Sequence, residues 1–245
     1  MGQRFSKRYQ VLFNHDGFCL FSNASPYQRF DEPVGLAQVR GYVDEVADAG
    51  VDCLLLCPNM YQQPGWDSRR VPYWRERGRT RVMPDTAVGK VMSRFREFLL
   101  AGHDHLAVSR ERAKERGLAF FLTWRMNESH GLNDLSCPSL SDFYLAHPEY
   151  RIGEGATHSW ERLALSFAHR EVREYQLGLI EELLSRYEVD GLELDLLRFP
   201  WLFPASMPEA EKFSTLTGFL REVRGLLGRQ GDRPLGVRVY GWREK

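Results

Sequence analysis

The chain has 245 residues, 33 of them basic and 33 acidic, so its formal net charge is zero. This balance argues against a nucleic-acid partner, because binding to phosphates depends on clustered positive charge. No apolar run approaches the roughly 18 residues that a membrane-spanning helix needs, so we expect no membrane partner. The first residues also lack the apolar centre of a signal peptide, which predicts a cytoplasmic protein unless an export signal is missing from the sequence.

Strands and helices alternate along the chain. Apolar runs predict strands at 9–14, 51–57, 118–126, 191–197 and 235–240, and apolar periodicity predicts helices at 35–49, 87–116, 171–187 and 209–227. Gly102 marks an expected break in the second helix. The same joint, in which a short glycine-containing turn leads from a helix into an apolar strand, recurs as DAGVDCLLL, ERGLAFFL and YEVDGLELDLL. This alternation indicates parallel βαβ units.

The loops that follow the strands are longer and chemically more varied than the loops that precede them. This asymmetry is typical of a (β/α) barrel, whose active face is built from the loops after the strands. We therefore predict an α/β chain that forms a single TIM-type parallel barrel domain over residues 1–245. A doubly wound open sheet is the competing architecture, although no glycine-rich phosphate loop follows the first strand.

Five predicted strands do not close an eight-stranded barrel. The sequence therefore predicts a barrel that is truncated after its fifth strand or completed by a partner chain, with truncation favoured. An open last strand exposes unpaired backbone groups, so this arrangement also predicts aggregation or pairing with another chain. The oligomeric state stays open at this point.

The fourth predicted strand carries two carboxylates. Side chains alternate across a strand, which places Glu193 and Asp195 on the face opposite Leu192, Leu194 and Leu196. The leucines suit the layer beneath the helices, and the carboxylates then point into the barrel, where they need partners or water. Asp195 lies nearer the carboxyl end of the strand, the substrate side of this fold. An ion pair with an arginine that only closes the barrel is the alternative interpretation.

Polar side chains also end the other strands. Thr123, Arg125 and Asn127 share one face of the third strand, and Arg125 could pair with Glu193 of the neighbouring strand. A single polar strand end is common, but four of them favour a functional face. Outside the two carboxylates, the predicted substrate-binding residues are Asn14, Asp16, Asn59, Arg125, Asn127, His130 and Arg198.

Two further motifs have both a structural and a functional interpretation. Trp66, Tyr73 and Trp74 follow the second strand and could stack on a sugar ring or pack against one another as the core of their loop. The motif HDH at 103–105 resembles a metal site, but histidines two residues apart diverge around a helix, so we interpret both as surface residues. The four cysteines show neither a CxxC pair nor a Cys/His ligand spacing. We therefore expect no metal and no cofactor.

The phrases VDGLELDLLRFP, TWRMNESHG and HPEYRIG resemble motifs of glycosyl-hydrolase-like proteins known as family-ten-type glycosidases. The resemblance runs from about residue 14 to residue 240 and implies a barrel that acts on polysaccharides. The later strands of such a barrel are absent from the sequence, which leaves the completeness of the catalytic site open. The site residues that the resemblance implies are Arg125, Asn127, His130, Glu193, Asp195 and Arg198.

These observations predict a glycoside hydrolase that acts on a polysaccharide or oligosaccharide, with Asp195 as nucleophile or charge stabiliser and Glu193 as a supporting group. Most glycosidases use two carboxyl groups. The proton donor stays open between Asp16, Glu128 and a residue outside this sequence. The alternatives are a non-catalytic carbohydrate-binding or scaffold barrel and a metal-dependent hydrolase built around His15 and Asp16.

Overall fold

A computed structural model describes residues 9–22, 33–128, 130, 132–154, 156, 159–231 and 233–241. The centre of this part of the chain is a curled parallel sheet of five strands, β1 (Leu12–His15), β2 (Cys53–Leu56), β3 (Ala119–Arg125), β4 (Gly191–Asp195) and β5 (Leu235–Arg238). The strands lie in chain order, each paired with the next. This order has no reversal, which distinguishes the sheet from a doubly wound one. The described residues form about half of a (β/α) barrel and not a closed one.

Five main helices connect the strands and cover the outside of the sheet. They are α1 (Leu36–Asp48), α2 (Ala87–Leu100), α3 (His105–Glu115), α4 (Arg170–Arg186) and α5 (Glu209–Gly228). The predicted alternation of strands and helices is confirmed, with the second predicted helix divided into α2 and α3.

The loops after the strands contain short elements that the sequence pattern does not predict. A small antiparallel ladder pairs Asn59–Met60 with Gln63–Pro64. Short helical segments lie at Phe18–Phe21, Arg77–Thr80, Asp142–Ala146, Pro148–Tyr150 and Ser159–Leu163.

The two faces of the sheet pack in different hydrophobic clusters. The outward side chains are part of the main core beneath the helices, among them Leu54, Leu56, Leu122, Leu192 and Leu194. The inward side chains nearer the amino ends of the strands form a separate small cluster of Cys53, Leu55, Ala119 and Phe121. Glu193 and Asp195 alternate with the leucines of β4, so they lie on the interior face as the sequence predicts.

The break between α2 and α3 has a clear local cause. Gly102 has a φ of +83°, a left-handed conformation that glycine adopts without strain. The carboxylate of Asp104 then accepts hydrogen bonds from the backbone N–H groups of Leu106 and Ala107, both at 3.1 Å. These bonds satisfy N–H groups that would otherwise be unpaired, and they fix the start of α3.

The interpretation of both HDH histidines as surface residues is wrong for His105, which is 1% exposed. Because α3 begins at this residue, its ring turns inward and lies 5.6 Å from the ring centroids of Phe21 and Phe95. Its buried Nε2 has no hydrogen-bond partner among the described residues. Burial lowers the pKa of His105 to about 4.

Trp66, Tyr73 and Trp74 form the core of the long loop after β2. All three side chains are at most 2% exposed. The indole N–H of Trp74 donates to the carbonyl of Pro64 at 2.6 Å, and the Tyr73 hydroxyl donates to the carbonyl of Pro138 at 3.2 Å. Their interpretation as a sugar-stacking surface is therefore wrong, because their ring faces are used to pack the loop.

The two outer strands carry exposed apolar side chains. Val11, Leu12 and Phe13 are 47%, 52% and 40% exposed at the β1 edge, and Val239 and Tyr240 are 60% and 65% exposed after β5. Among the described residues, no strand pairs with the outer edge of either β1 or β5. Within the described ranges the sheet is therefore a half-barrel, consistent with the five strands that the sequence predicts. In the same part of the chain, no helix combines the length and the apolar character that crossing a membrane requires.

Candidate functional site

The interior face of the sheet has an apolar part and a polar part, and β3 contributes to both. Nearer the amino ends it carries the cluster that contains Leu55 and Phe121. Toward the carboxyl ends, the strand register brings together the polar side chains of Thr123, Arg125, Glu193, Asp195 and Arg238. Asn14 of β1 joins this polar group through hydrogen bonds from its Nδ2 to Thr123 and Glu193. The carboxyl ends of the strands are where (β/α) barrels bind their substrates.

Glu193 lies at the centre of this polar layer. Its Oε1 accepts hydrogen bonds from Asn14 Nδ2 at 2.8 Å and from Thr123 Oγ1 at 2.7 Å. Burial raises the pKa of Glu193, and the hydrogen bonds from Thr123 and Asn14 and the charge of Arg238 reduce this rise without cancelling it. The side chain is 14% exposed. A carboxyl group with a raised pKa is suited to holding and delivering a proton.

Asp195 is fully buried and pairs with an arginine of the next strand. Arg238 Nη2 donates to Oδ2 of Asp195, and the backbone N–H groups of Leu197 and Arg198 donate to Oδ1 at 2.9 and 3.1 Å. Arg238 Nε lies 3.7 Å from Oε1 of Glu193. One guanidinium therefore bridges the two carboxylates, so they lie close together.

Sequence reasoning missed Arg238. The residue lies directly opposite Asp195 in the pairing of β4 with β5. The available signal was a single charged residue within the apolar run LGVRVY, since a charge on the inner face of a strand requires a partner of opposite charge. Asp195 thus forms an ion pair with an arginine, as the alternative interpretation expected, and Arg238 is that arginine.

A second charged group surrounds Arg125, whose side chain is 1% exposed. Its guanidinium pairs with Asp16 and, through Nη1 at 2.7 Å, with Glu128. The expected pairing with Glu193 is not the one formed, because the guanidinium is turned toward the loops after β1 and β3. Burial by itself lowers the pKa of Arg125, but nearby negative groups, Glu128 and Asp16 among them, outweigh burial and raise it. Arg198 Nη2 lies 3.7 Å from Oδ2 of Asp16 and extends this group to the loop after β4.

Glu128 links the Arg125 group to His130. Its Oε1 accepts a hydrogen bond from the backbone N–H of His130 at 3.0 Å and also contacts Nδ1 of the same ring. Burial by itself raises the pKa of Glu128, but the hydrogen bonds from His130 and the charge of Arg125 outweigh burial and lower it. Of the proton donors that the sequence left open, Glu128 is therefore poorly suited near neutral pH.

Asn127 is engaged with the main chain of two loops. Its Nδ2 donates to the carbonyls of Leu165 and Trp201, both at 2.7 Å, and its Oδ1 accepts from the N–H of Leu165 at 3.2 Å. The residue is 2% exposed. Both of its N–H donors are used inside the protein, so the side chain ties the loop after β3 to the loop after β4 and does not present them to a ligand.

Asn59 lies beside the charged groups at the small hairpin after β2 and is 8% exposed. It lines a cavity of about 20 Å³ that also touches Gln62, Arg125 and Glu128. A space of this size holds about one water molecule. Asn59 can therefore contact a buried water here, whereas a sugar ring would need the loops to open.

His15 and Asp16, the basis of the metal-hydrolase alternative, are engaged with other groups. His15 Nδ1 accepts a hydrogen bond from the N–H of Gly17 at 3.1 Å, and burial lowers the pKa of the ring to about 4. Asp16 pairs with Arg125. Within the described ranges, no group of three or more His, Cys, Asp or Glu side chains is placed to hold a metal ion.

Comparison with known proteins gives structural but not sequence relatives. The sequence matches no protein-family model and no curated protein. The galactosidase domain of the α-galactosidase–sucrose kinase AgaSK aligns with a TM-score of 0.53 and 19% identity, over 95% of this chain and 27% of that chain. The A355E variant of the GH36 α-galactosidase AgaA from Geobacillus stearothermophilus, in complex with 1-deoxygalactonojirimycin, aligns with a TM-score of 0.52 and 15% identity, over 95% of this chain and 28% of that chain.

These neighbours are informative about the fold. The chain spans 27% and 28% of the lengths of the two structures. Both are α-galactosidase structures, so they do not confirm the resemblance to the family-ten type. The likeness therefore shows that the five parallel strands and their helices share a (β/α) fold with these α-galactosidase structures.

Proposed function

We propose that this chain carries the carboxylate site of a glycoside hydrolase that acts on an oligosaccharide or polysaccharide. The observation that carries this proposal is the pair Glu193 and Asp195, which share the guanidinium of Arg238 at the carboxyl ends of the strands. Most glycosidases place two carboxyl groups beside the scissile bond, and their environments set them to different protonation states. The glycosidase-like fold supports the same function.

The surroundings of the two carboxylates suit two different roles. A guanidinium and two N–H donors complement negative charge on Asp195, so this residue acts as the nucleophile or as the anion that stabilises an oxocarbenium-like transition state. Glu193, with its raised pKa and partial exposure, acts as the proton donor. Access to Asp195 requires the Arg238 side chain to move.

α-Galactosides are the first substrates to test, because both structural neighbours are α-galactosidases and one of them holds 1-deoxygalactonojirimycin. The experiment measures hydrolysis of p-nitrophenyl α- and β-galactosides and glucosides by the wild type and by Asp195→Asn. The asparagine keeps the size of the side chain and an oxygen that accepts the two backbone N–H bonds, and it removes the charge. We expect it to lower kcat by about 10²-fold or more, with sugar binding retained.

Asp190→Asn is the matched control. Asp190 precedes the same strand at its amino end, where its Oδ2 accepts a hydrogen bond from the N–H of Phe120 at 2.9 Å. The control should hydrolyse the same glycosides at nearly the wild-type rate. Equal loss in both variants would show a general folding effect, and unchanged turnover in Asp195→Asn would contradict the assigned role of Asp195.

The second candidate function is a non-catalytic carbohydrate-binding barrel. It is favoured by the complete burial of Asp195 beneath Arg238, which closes the carboxylate to a substrate in this conformation. Sugar binding without turnover by the wild type would select this candidate. The absence of both binding and turnover across the glycosides would exclude both functions.

A further inference from the structure

Aromatic rings lie next to the charged groups, on the loops that follow β3 and β4. The Phe199 ring centroid is 5.8 Å from that of Trp160, 6.4 Å from that of Trp201 and 4.8 Å from that of His130. We call Trp160, Phe199 and Trp201 the aromatic wall. His130 in turn contacts Glu128, the partner of Arg125, so the aromatic wall continues directly into the charged groups.

Two aromatic residues here adopt a backbone conformation that is costly for bulky side chains. Phe199 has a φ of +53° and Tyr61 a φ of +58°, and no other non-glycine residue in the described ranges has a positive φ. Both rings contact the ring of His130, Phe199 at 4.8 Å and Tyr61 at 5.9 Å between centroids. Strain of this kind persists only where the surrounding structure enforces it, and it concentrates at functional sites.

The loop that carries the strained Phe199 is fixed on its carboxyl side. The amide of Asn127 donates to the carbonyl of Trp201 at 2.7 Å, and the N–H of Phe167 donates to the carbonyl of Leu202 at 2.7 Å. These bonds hold the turn after β4 in place. Trp160 meets this turn from the other loop and is 43% exposed. Phe199 and Trp201 are themselves half-buried, so the three neighbouring rings form a contiguous exposed aromatic patch, of the kind that marks a ligand-binding groove.

We propose that Trp160 and Phe199 form a stacking surface for a neutral pyranose ring of the substrate. The inference rests on the proposed glycosidase function and adds the class of sugar recognised. An aromatic face packs against the C–H face of a pyranose, while charged groups at its edge bind the hydroxyls. Arg198 directly precedes Phe199 and pairs with Asp16, which places a donor and an acceptor at that edge. Because this ion pair is neutral as a whole, it favours an uncharged sugar over a uronic acid.

The test measures the affinity of the whole chain for methyl α-galactopyranoside and methyl α-glucopyranoside, by saturation-transfer NMR and tryptophan fluorescence. Methyl α-galactopyranosiduronate is the anionic comparison. We expect Trp160→Ala to weaken binding of the neutral sugars about tenfold. Trp160→Phe should restore most of the affinity, because it keeps an aromatic face, whereas Trp160→Leu should not. Phe199→Leu should weaken binding in the same direction.

Phe213→Ala is the matched control, since Phe213 is a 67% exposed aromatic residue of α5 that belongs to neither loop of the aromatic wall. It should leave affinity within about twofold of the wild type. Two results would overturn the stacking surface and leave the glycosidase proposal standing. The first is an affinity of Trp160→Ala equal to that of the wild type, and the second is an affinity of Trp160→Leu equal to that of Trp160→Phe. Tighter binding of the uronate would overturn the neutral class. No binding or turnover of any of the sugars by the wild type would overturn both proposals.

Discussion

The interior face of the sheet has two layers of opposite chemistry. The apolar layer, nearer the amino ends, consists of Cys53, Leu55, Ala119 and Phe121. The polar layer, nearer the carboxyl ends, consists of Asn14, Thr123, Arg125, Glu193, Asp195 and Arg238. Of the five strands, β3 contributes side chains to both layers, and its successive interior positions are only two residues apart. On β3, depth along the strand therefore separates Phe121, which belongs to the apolar layer, from Thr123 and Arg125, which belong to the polar layer.

The layers also differ in what fixes their side chains. In the apolar layer, close packing fixes the side chains. A Cβ on Gly191 would lie 2.4 Å from a ring atom of Phe121, so the ring fits only because residue 191 is a glycine. In the polar layer, Glu193 and Asp195 each have partners on a neighbouring strand. Changes in the apolar layer should therefore alter the free energy of unfolding most, and changes in the polar layer should alter binding and pH dependence most.

The largest expected effect is that of Phe121→Ala in the apolar layer. Removing this ring should lower the free energy of unfolding by about 3 kcal/mol, near the low end for buried phenylalanines because the barrel interior is open. Urea unfolding followed by circular dichroism measures the change. Phe213→Ala, at an exposed position of α5, is the control and should change the free energy of unfolding by less than about 0.5 kcal/mol. Similar values for both variants would show that the apolar layer does not stabilise the sheet.

An intermediate effect is expected from His105, which lies outside both layers. Burial lowers its folded-state pKa to about 4, and the unfolded value is about 6.5. The unfolded chain therefore takes up the proton first, so the contribution of His105 is complete above pH 6.5 and decreases as the pH falls toward 4. For this residue alone the loss at pH 5 is about 2 kcal/mol.

His105→Phe should accordingly reduce the difference in unfolding free energy between pH 7 and pH 5 by about 2 kcal/mol. His103→Phe, two residues away, is the control and should leave that difference nearly unchanged. The polar layer predicts the opposite sign, because the raised pKa of Glu193 makes the folded state bind its proton more tightly on acidification. Burial also lowers the pKa of His15 to about 4, so a loss of the same sign from His15 remains in the variant. A difference between pH 7 and pH 5 that is the same in His105→Phe and in the wild type would contradict the role of His105.

The smallest effect on stability is expected from Thr123→Val in the polar layer. The valine keeps the shape of threonine and removes the hydrogen bond to Glu193 at 2.7 Å, at a cost of about 1 kcal/mol in unfolding free energy. Because that bond opposes the effect of burial, its loss should raise the pKa of Glu193 further. If Glu193 is the proton donor, the alkaline limb of the pH–rate profile moves to higher pH.

The Thr123→Val experiment compares pH–rate profiles with a p-nitrophenyl glycoside. Thr217→Val on the exposed side of α5 is the control and should leave the profile in place. An alkaline limb at the same pH in Thr123→Val and in the wild type would show that this limb does not report the ionisation of Glu193. Glu193 would then have only a supporting role beside Asp195.

The sequence by itself determined the strands, the helices and the faces of the strands. Apolar periodicity located β1 to β5 and the main helices, and alternation within ELD placed Glu193 and Asp195 on the interior face. These properties depend on residues a few positions apart, which a pattern records directly.

Only the tertiary structure decided which side chains meet. Arg125 pairs with Asp16, 109 residues away, and Arg238 pairs with Asp195, 43 residues away. Long-range packing also buried Trp74 and its aromatic neighbours, while it left the ring of Trp160 exposed. Polar or aromatic character is visible in the sequence, but burial and partner choice depend on how distant elements pack. The identity of the charged partners and of the exposed aromatic surface therefore emerged only when the five strands were placed side by side.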